Sequence, residues 1–325
     1  MVPIVAPYSP SAVLVTGGAG FIGSNYVRHL LKTANHLPLI VLDLLTYAGR
    51  RDNLQEAFNQ PNFAFVEGDI RDQQLVLRLM QNVDTVVHFA AESHVDRSIA
   101  NASEFISTNV LGTHILLQAA RECQVKRFLN ISTDEVYGSI GQGFADEAYP
   151  LNPSSPYSAS KASQDMMAHA HLKTFNTPVI TTRSSNNFGP YQYPEKLIPL
   201  FITNAIRGIP LPLYGDGLHV RDWLFVEDHC KAIDHVIKHG TVGEVYNIGG
   251  GNERTNLDLT SKILEKLSLP KTLIKPVPDR LGHDRRYALN CEKLHALGWR
   301  PKHTFEEAIA STIEWYQTHS VWWQG

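Results

Sequence analysis

The stretch Ala12-Val-Leu-Val-Thr16-Gly17-Gly-Ala-Gly20-Phe-Ile-Gly23 decides how the first half of this chain folds. Its Val-rich start predicts a short buried strand, and Ser24 to Leu31 reads as the helix that follows. Between them, Gly18, Gly20 and Gly23 spell G-x-G-x-x-G, while Gly17, Gly20 and Gly23 spell G-x-x-G-x-x-G. Glycine permits a tight turn and lets backbone N–H groups approach a pyrophosphate; the last glycine lets the helix pack closely on the strand. A bare glycine pattern says little, but a strand before it and a helix after it make it a dinucleotide turn. The next apolar run, Leu39–Leu42, ends in Asp43, twenty residues beyond Gly23. A carboxylate there accepts hydrogen bonds from the adenosine ribose and repels a 2′-phosphate, which favours NAD over NADP. Arg50 and Arg51 lie close in sequence and leave some room for a phosphate.

The strand–helix alternation continues outward. Ala64–Val66 reads as a strand leading to Gly68-Asp69-Ile70, with Asp69 able to meet an adenine. Thr85–Phe89 is a buried strand ending in Ala90-Ala91-Glu92-Ser93-His94, whose small residues let a cofactor lie against it. Asn109 opens an apolar helix through Ala120, and Phe128–Ile131 is the next strand. This order predicts an α/β fold: a Rossmann-type, doubly wound parallel sheet with helices on both faces. Beyond residue 187 the alternation breaks, with Pro190, Pro194, Pro199, Pro210 and Pro212 excluding one long helix. The expected division is a nucleotide-binding domain over residues 1–187, with a returning segment at about 224–247. A smaller α/β substrate-binding domain then takes mainly 188–223 and 248–325. Val226-Glu-Asp228 marks the return, Val245–Ile248 a strand, and Leu257–Leu267 and Phe305–Tyr316 two amphipathic helices; Trp322-Trp323 is expected to pack on the body.

Bulk properties exclude several classes. The 325 residues are 43% hydrophobic and 19% charged, as in a globular protein, with net charge −3. That charge supports neither a nucleic-acid nor an anionic-membrane partner. Cys123, Cys230 and Cys291 are too few and too scattered for a disulfide framework, which suits a reducing compartment. No His-Glu-x-x-His motif occurs among the 15 His residues, so no metal is expected. No apolar run reaches a membrane span and no secretory leader is visible, so the expected location is cytoplasmic.

Chemistry concentrates in Ser132-Thr-Asp-Glu-Val-Tyr-Gly138 and Tyr157-Ser-Ala-Ser-Lys161. Tyr157 and Lys161 are i and i+4 and share a helix face. A Lys⁺ beside a phenol favours the phenolate, so Tyr157 is expected to be a base with a lowered pKa. Thr133, Asp134 and Glu135 follow a strand, where an open parallel sheet binds its ligands.

Taken together, the glycine turn, Asp43 and Tyr157-x-x-x-Lys161 resemble the extended short-chain dehydrogenase/reductase family. Ser132–Gly138 is similar to its nucleoside-diphosphohexose 4,6-dehydratases; most of the family's epimerases lack the Asp-Glu pair. Asn186-Asn187-Phe-Gly-Pro-Tyr-Gln-Tyr-Pro-Glu195-Lys196-Leu197, Tyr214-Gly-Asp-Gly-Leu-His-Val-Arg221 and Asp279-Arg-Leu-Gly-His283-Asp-Arg285-Arg-Tyr287 narrow the resemblance to the dTDP-glucose 4,6-dehydratases. It runs from about residue 12 to 320, with Leu281 in place of a common Pro and Phe188 in place of a common Tyr. The resemblance implies oxidation at C4, elimination of water across C5 and C6, and hydride return to C6. It gives Tyr157 the 4-hydroxyl proton, Lys161 the nicotinamide ribose, Thr133 the 4-oxygen, Glu135 the C5 proton and Asp134 the acid for the C6 hydroxyl. Asp134 then has to be the more desolvated, neutral partner. For NAD the resemblance implies Gly17, Gly20, Phe21, Ile22, Gly23, Asp43, Leu44, Thr46, Asp69, Ile70, Ala90, Ala91, Ser93, Thr108, Tyr157, Lys161 and Asn187. For the nucleotide sugar, dTDP-glucose, it implies Ser93, His94, Thr133, Asn186, Glu195, Lys196, Leu197, Pro212, Tyr214, Arg221, Asn256, His283, Arg285 and Tyr287. It also implies a homodimer through the helices Asn109–Glu122 and Ser158–Phe175. A UDP-hexose 4,6-dehydratase, a UDP-glucose 4-epimerase and a non-catalytic NAD-sensing protein remain as alternatives on the same fold.

Overall fold

The apolar runs are short and continuous, as strands buried on both faces of a parallel sheet must be. A computed structural model describes residues 7–324; residues 1–6 and 325, the outer ends of the two expected domains, lie outside the described residues. The strands are β1 (Val13–Thr16), β2 (Leu39–Asp43), β3 (Phe63–Glu67), β4 (Thr85–His88), β5 (Arg127–Thr133) and β6 (Val179–Ser184). There follow β7 (Asn186–Phe188), β8 (Leu211–Tyr214), β9 (Val220–Phe225), β10 (Val245–Ile248), β11 (Glu253–Thr255) and β12 (Ile274–Val277). Seven of them form one sheet in the order β10-β6-β5-β4-β1-β2-β3, every pairing parallel. The order turns back between β1 and β4, which opens a crevice at their carboxyl ends.

Alternate residues of each strand face opposite sides. Val13, Val15, Val41 and Val87 pack with the helices Phe21–Thr33 and Val226–His239. Leu14, Leu42, Val86 and Phe128 pack with Gln73–Met80, Thr113–Glu122 and Pro156–Phe175. The first helix begins at Phe21, so Gly23 lies inside it rather than ahead of it. Asn109 also stands elsewhere than expected. It is inside a helical run over 103–122, in a π-helical stretch Ile106–Gly112. Its amide bonds the Glu92 carbonyl (3.0 Å), the Glu92 N–H (2.8 Å) and Ser160 Oγ (2.8 Å). These partners are distant in sequence, so no local pattern announces the wide turn.

A second lobe carries a three-stranded sheet, β11-β9-β7, and the pair β12-β8. Phe188, Phe201, Trp223, Phe225, Phe305 and Tyr316 fill its core with the helices Leu197–Ile206, Asn256–Lys266 and Phe305–Thr318. Pro199 sits in the first turn of its helix, where no backbone donor is lost. Later in the chain, Leu294 and Trp299 join the core of the main sheet. Trp322 and Trp323 pack on the body: Trp322 Nε1 donates to Asn53 Oδ1 (2.8 Å) and Trp323 Nε1 to the Tyr316 carbonyl (2.8 Å). Among the described residues no helix is long and apolar enough to cross a membrane, and Cys123, Cys230 and Cys291 are unbridged.

Candidate active site

A cavity of about 580 Å³ is lined from both lobes. Glycine is required at its base. Gly17 has φ +70°, and a Cβ there would lie 2.5 Å from the Ala90 nitrogen; a Cβ on Gly23 would lie 2.2 Å from the Gly17 carbonyl oxygen. The helix that starts at Phe21 has no side-chain cap, which leaves its first N–H groups for a ligand. Asp43 accepts from the Ala19 and Leu45 N–H groups, both at 2.8 Å, which ties the carboxylate to the glycine turn. Burial raises its pKa against the pull of those donors. Phe21, Ile22, Leu44, Thr46, Ile70, Ala90, Ala91 and Thr108 also line the cavity. Turn, uncapped helix and carboxylate together fit a dinucleotide. Asp69 lines it too, but Arg71 grips its carboxylate with Nη2 at 2.6 Å and holds its pKa below the usual range. Asn187 is fixed by His229 Nδ1 (2.9 Å) and by donation to the Ser185 carbonyl (3.0 Å).

The five expected catalytic residues all reach this cavity. β5 ends at Thr133, and one 3₁₀ turn, Asp134–Tyr137, carries the acids. Asp134 is 2% exposed; Thr133 Oγ1 donates to its Oδ1 (3.2 Å), and its Oδ2 has no partner. Burial, then Glu135 beside it, pushes the Asp134 carboxyl well above the usual range. Glu135 is half-buried. Burial raises it as well, while Arg280, Lys196 and Arg221 pull it back toward the anion. Both carboxyls are raised, Asp134 further than Glu135, and unequal neighbours of this kind suit an acid–base pair.

The helix Pro156–Phe175 opens with a capping box in which Ser155 and Ser158 bond reciprocally, placing Tyr157 in its first turn. Here the expectation of a lowered phenol fails. Burial drives Tyr157 upward, Glu135 adds to the rise, and a bond with Thr133 opposes it. Lys161 is desolvated too, and burial pushes its ammonium down to about 8. Desolvation outweighs the i,i+4 pairing.

On the sugar-nucleotide side, Ser93, His94, Asn186, Glu195, Lys196, Leu197, Pro212, Tyr214, Arg221, Asn256 and His283 line the cavity. Lys196 Nζ donates to the Ser93 carbonyl (2.7 Å), and Tyr214 donates to Asp96 (3.2 Å). Two expected residues do not line it. Arg285 is exposed and forks onto Asp216 (2.8 and 3.0 Å). Tyr287 is fully buried; its hydroxyl donates to Asp284 (2.9 Å) and its ring lies under Arg221 at 4.2 Å. The cavity takes Arg280 instead, a residue the sequence reading passed over, along with Trp223. Gly282, at φ +62°, turns this segment. Three arginines stand in the motif at 280, 285 and 286, and nothing in their order tells which one faces inward.

Buried polar atoms normally find partners. Here Asp134 Oδ2, Asn186 Oδ1, Glu195 Oε2, Trp223 Nε1, Asn256 Oδ1 and Arg280 Nε are buried on cavity residues without one. That is the signature of a site built for a polar ligand. His219, Asp279 and His283 cluster nearby. The two imidazoles stack at 3.7 Å and 14°, so their lone pairs lie in nearly parallel planes that do not converge on one ion.

The profile of the GDP-mannose 4,6 dehydratase family matches residues 14–312. The low-salt glycan biosynthesis protein Agl12 of Haloferax volcanii is 53% identical over 304 residues, 94% of this chain and 98% of that protein. A dTDP-glucose 4,6-dehydratase of Streptomyces antibioticus is 53% identical over 318 residues, 96% of this chain and 94% of that one. The crystal structure of DesIV, a dTDP-glucose 4,6-dehydratase of Streptomyces venezuelae with NAD bound, superposes with a TM-score of 0.95 at 52% identity, covering 96% and 99% of the two chains. These matches run through every element that builds the cavity, and the chain belongs to the GDP-mannose 4,6 dehydratase family.

Proposed function

We propose that this protein is an NAD-dependent dTDP-glucose 4,6-dehydratase that makes dTDP-4-keto-6-deoxyglucose and water. The observation that carries the reading is the pair of acids on the cavity at the end of β5: Asp134, buried with its Oδ2 unpartnered and its carboxyl pushed well up, and Glu135, raised by burial against the pull of Arg280, Lys196 and Arg221. An epimerase has no use for such a pair. The relatives named above support the substrate and the cofactor.

Tyr157 takes the 4-hydroxyl proton, and Thr133 holds the 4-oxygen. NAD held by the glycine turn and Asp43 would accept hydride from C4 and give it back at C6, and its positive charge would favour ionisation of the phenol. The 4-ketone acidifies C5, since the carbanion formed there is an enolate. Glu135 removes the C5 proton, and Asp134 protonates the C6 hydroxyl as the C–O bond breaks and water leaves. Glu135 then returns a proton to C5. Arg221 and Arg280 neutralise the diphosphate, and Arg forks suit phosphate oxygens. Residues 1–187 with 224–247 serve the cofactor, and 188–223 with 248–325 mainly serve the sugar nucleotide.

The helical run 103–122 and the helix Pro156–Phe175 expose Ile106 (59%), Leu111 (48%) and Met166 (50%), which supports a homodimer through this face. The unbridged cysteines support a cytoplasmic location. The test is incubation with dTDP-glucose and, separately, with UDP-glucose, following the 4-keto product by its alkaline absorbance. Faster turnover of UDP-glucose, or no turnover of either, overturns the reading.

A further inference from the structure

A line of buried polar side chains leads away from the cavity through Lys161. Its ammonium donates to the Ile131 carbonyl (2.7 Å) and to Gln164 Oε1 (2.6 Å). Gln164 Nε2 donates to Asn130 Oδ1 (2.5 Å), and Asn130 Nδ2 donates to Asp165 Oδ1 (3.0 Å). Asp165 Oδ2 accepts from Arg183 Nε (2.9 Å), and Arg183 Nη1 donates to the Tyr137 hydroxyl (2.9 Å). Gln164 and Asn130 are fully buried; Asp165 and Arg183 are 3% and 4% exposed. Neither carboxamide can reverse without turning a donor onto a donor, so every bond from Lys161 to Asp165 points the same way. A chain of this kind polarises along its length in a low-dielectric interior.

The surroundings leave few other sources of charge. On Lys161's own helix stand Tyr157 and Asp165. On β4 stands His88, neutral between Thr16 (2.7 Å) and Thr113 (2.9 Å). On the turn after β5 stand Asp134 and Glu135, and on β6 stands Arg183, already paired with Asp165 (2.9 Å). Asp165 favours the protonated form of Lys161 against burial. We propose that Gln164 and Asn130 are positioning residues that link Asp165 to Lys161, keep the ammonium protonated and aimed, and so set the pH range in which Tyr157 works.

The kinetic test rests on the dehydratase reading; an optical test does not. In the holoenzyme, Gln164→Met keeps the size of the side chain and removes its acceptor and donor. Lys161 then loses its proton at lower pH, and the alkaline limb of kcat on dTDP-glucose moves down by ~0.5 pH unit or more, with KM unchanged. Gln164→Glu sets a carboxylate against the ammonium and moves the same limb up. A merely structural glutamine would not give opposite signs. The optical arm follows phenolate difference absorbance, with Tyr157→Phe subtracted in each background, and expects Tyr157 to ionise at higher pH in Gln164→Met. Limbs that coincide with wild type in both variants, or that move the same way, overturn the proposal. So does an unmoved Tyr157 titration. Should wild-type protein leave dTDP-glucose unchanged, the functional reading falls while the optical shift still decides this one.

Discussion

Asp134 and Glu135 are chemically near-identical side chains one position apart, and the roles proposed for them rest on what surrounds each. Glu135→Gln should still exchange hydride at C4 but lose elimination by about 10²-fold or more, read as isotope exchange without 4-keto-6-deoxy product. Elimination at the wild-type rate would remove Glu135 from its role. Asp134→Asn replaces a carboxyl that burial pushes well up with a neutral amide of nearly the same shape. Its melting temperature should stay within a few degrees of wild type, while kcat falls about 10²-fold. A large loss of stability instead would mean that Asp134 is ionised in the folded protein. Arg280→Ala should raise KM far more than Arg285→Ala, because only the first faces the cavity.

At the level of elements, the strand–turn–helix at the start works because backbone meets backbone. The atom that a Gly23 Cβ would strike is the Gly17 carbonyl oxygen, which cannot step aside. Gly23→Ala should therefore emerge from purification depleted of NAD, measured by release on denaturation, and full occupancy would count against the cradle. The opposite end of the chain touches the same turn. Trp322 donates to Asn53, whose side chain donates to the Ala19 carbonyl (2.8 Å), and Ala19 donates to Asp43. Losing that first bond through Trp322→Phe should cost about 1 kcal/mol, a fall of about 2–3 °C in Tm, with weaker retention of NAD. Unchanged Tm and unchanged retention would reduce the contact to simple packing.

Across the whole molecule, two buried histidines tie stability to pH. Burial holds His88 and His229 down to about 3, against 6.5 for a free imidazole. On acidification the unfolded chain takes up their protons first. The stability they confer is complete above pH 6.5 and drains away as pH falls toward about 3, roughly 2 kcal/mol for each by about pH 5. Calorimetry at neutral pH and at about pH 5 should show Tm dropping, and a flat profile would refute the linkage. Assembly is read at this scale too: sedimentation at micromolar concentration should find a dimer, and a monomer would leave Ile106, Leu111 and Met166 unexplained.

The linear order of residues was enough for the sheet, the glycine turn, Asp43 and the grouping of Thr133, Asp134, Glu135, Tyr157 and Lys161. These rest on period, spacing and strand ends, which are local properties or follow from the rules of parallel sheets. Folding in three dimensions settled the remainder. Arg280 turns inward and Arg285 outward because Asp216 waits on one side and a polar cavity on the other. Tyr157 is raised rather than lowered because burial, which no spacing encodes, outweighs a lysine that is itself desolvated. The wide turn at Asn109 and the line from Lys161 to Asp165 join residues from separate elements. Desolvation and long-range pairing depend on what packs against a group, and that exists only once the chain has closed on itself.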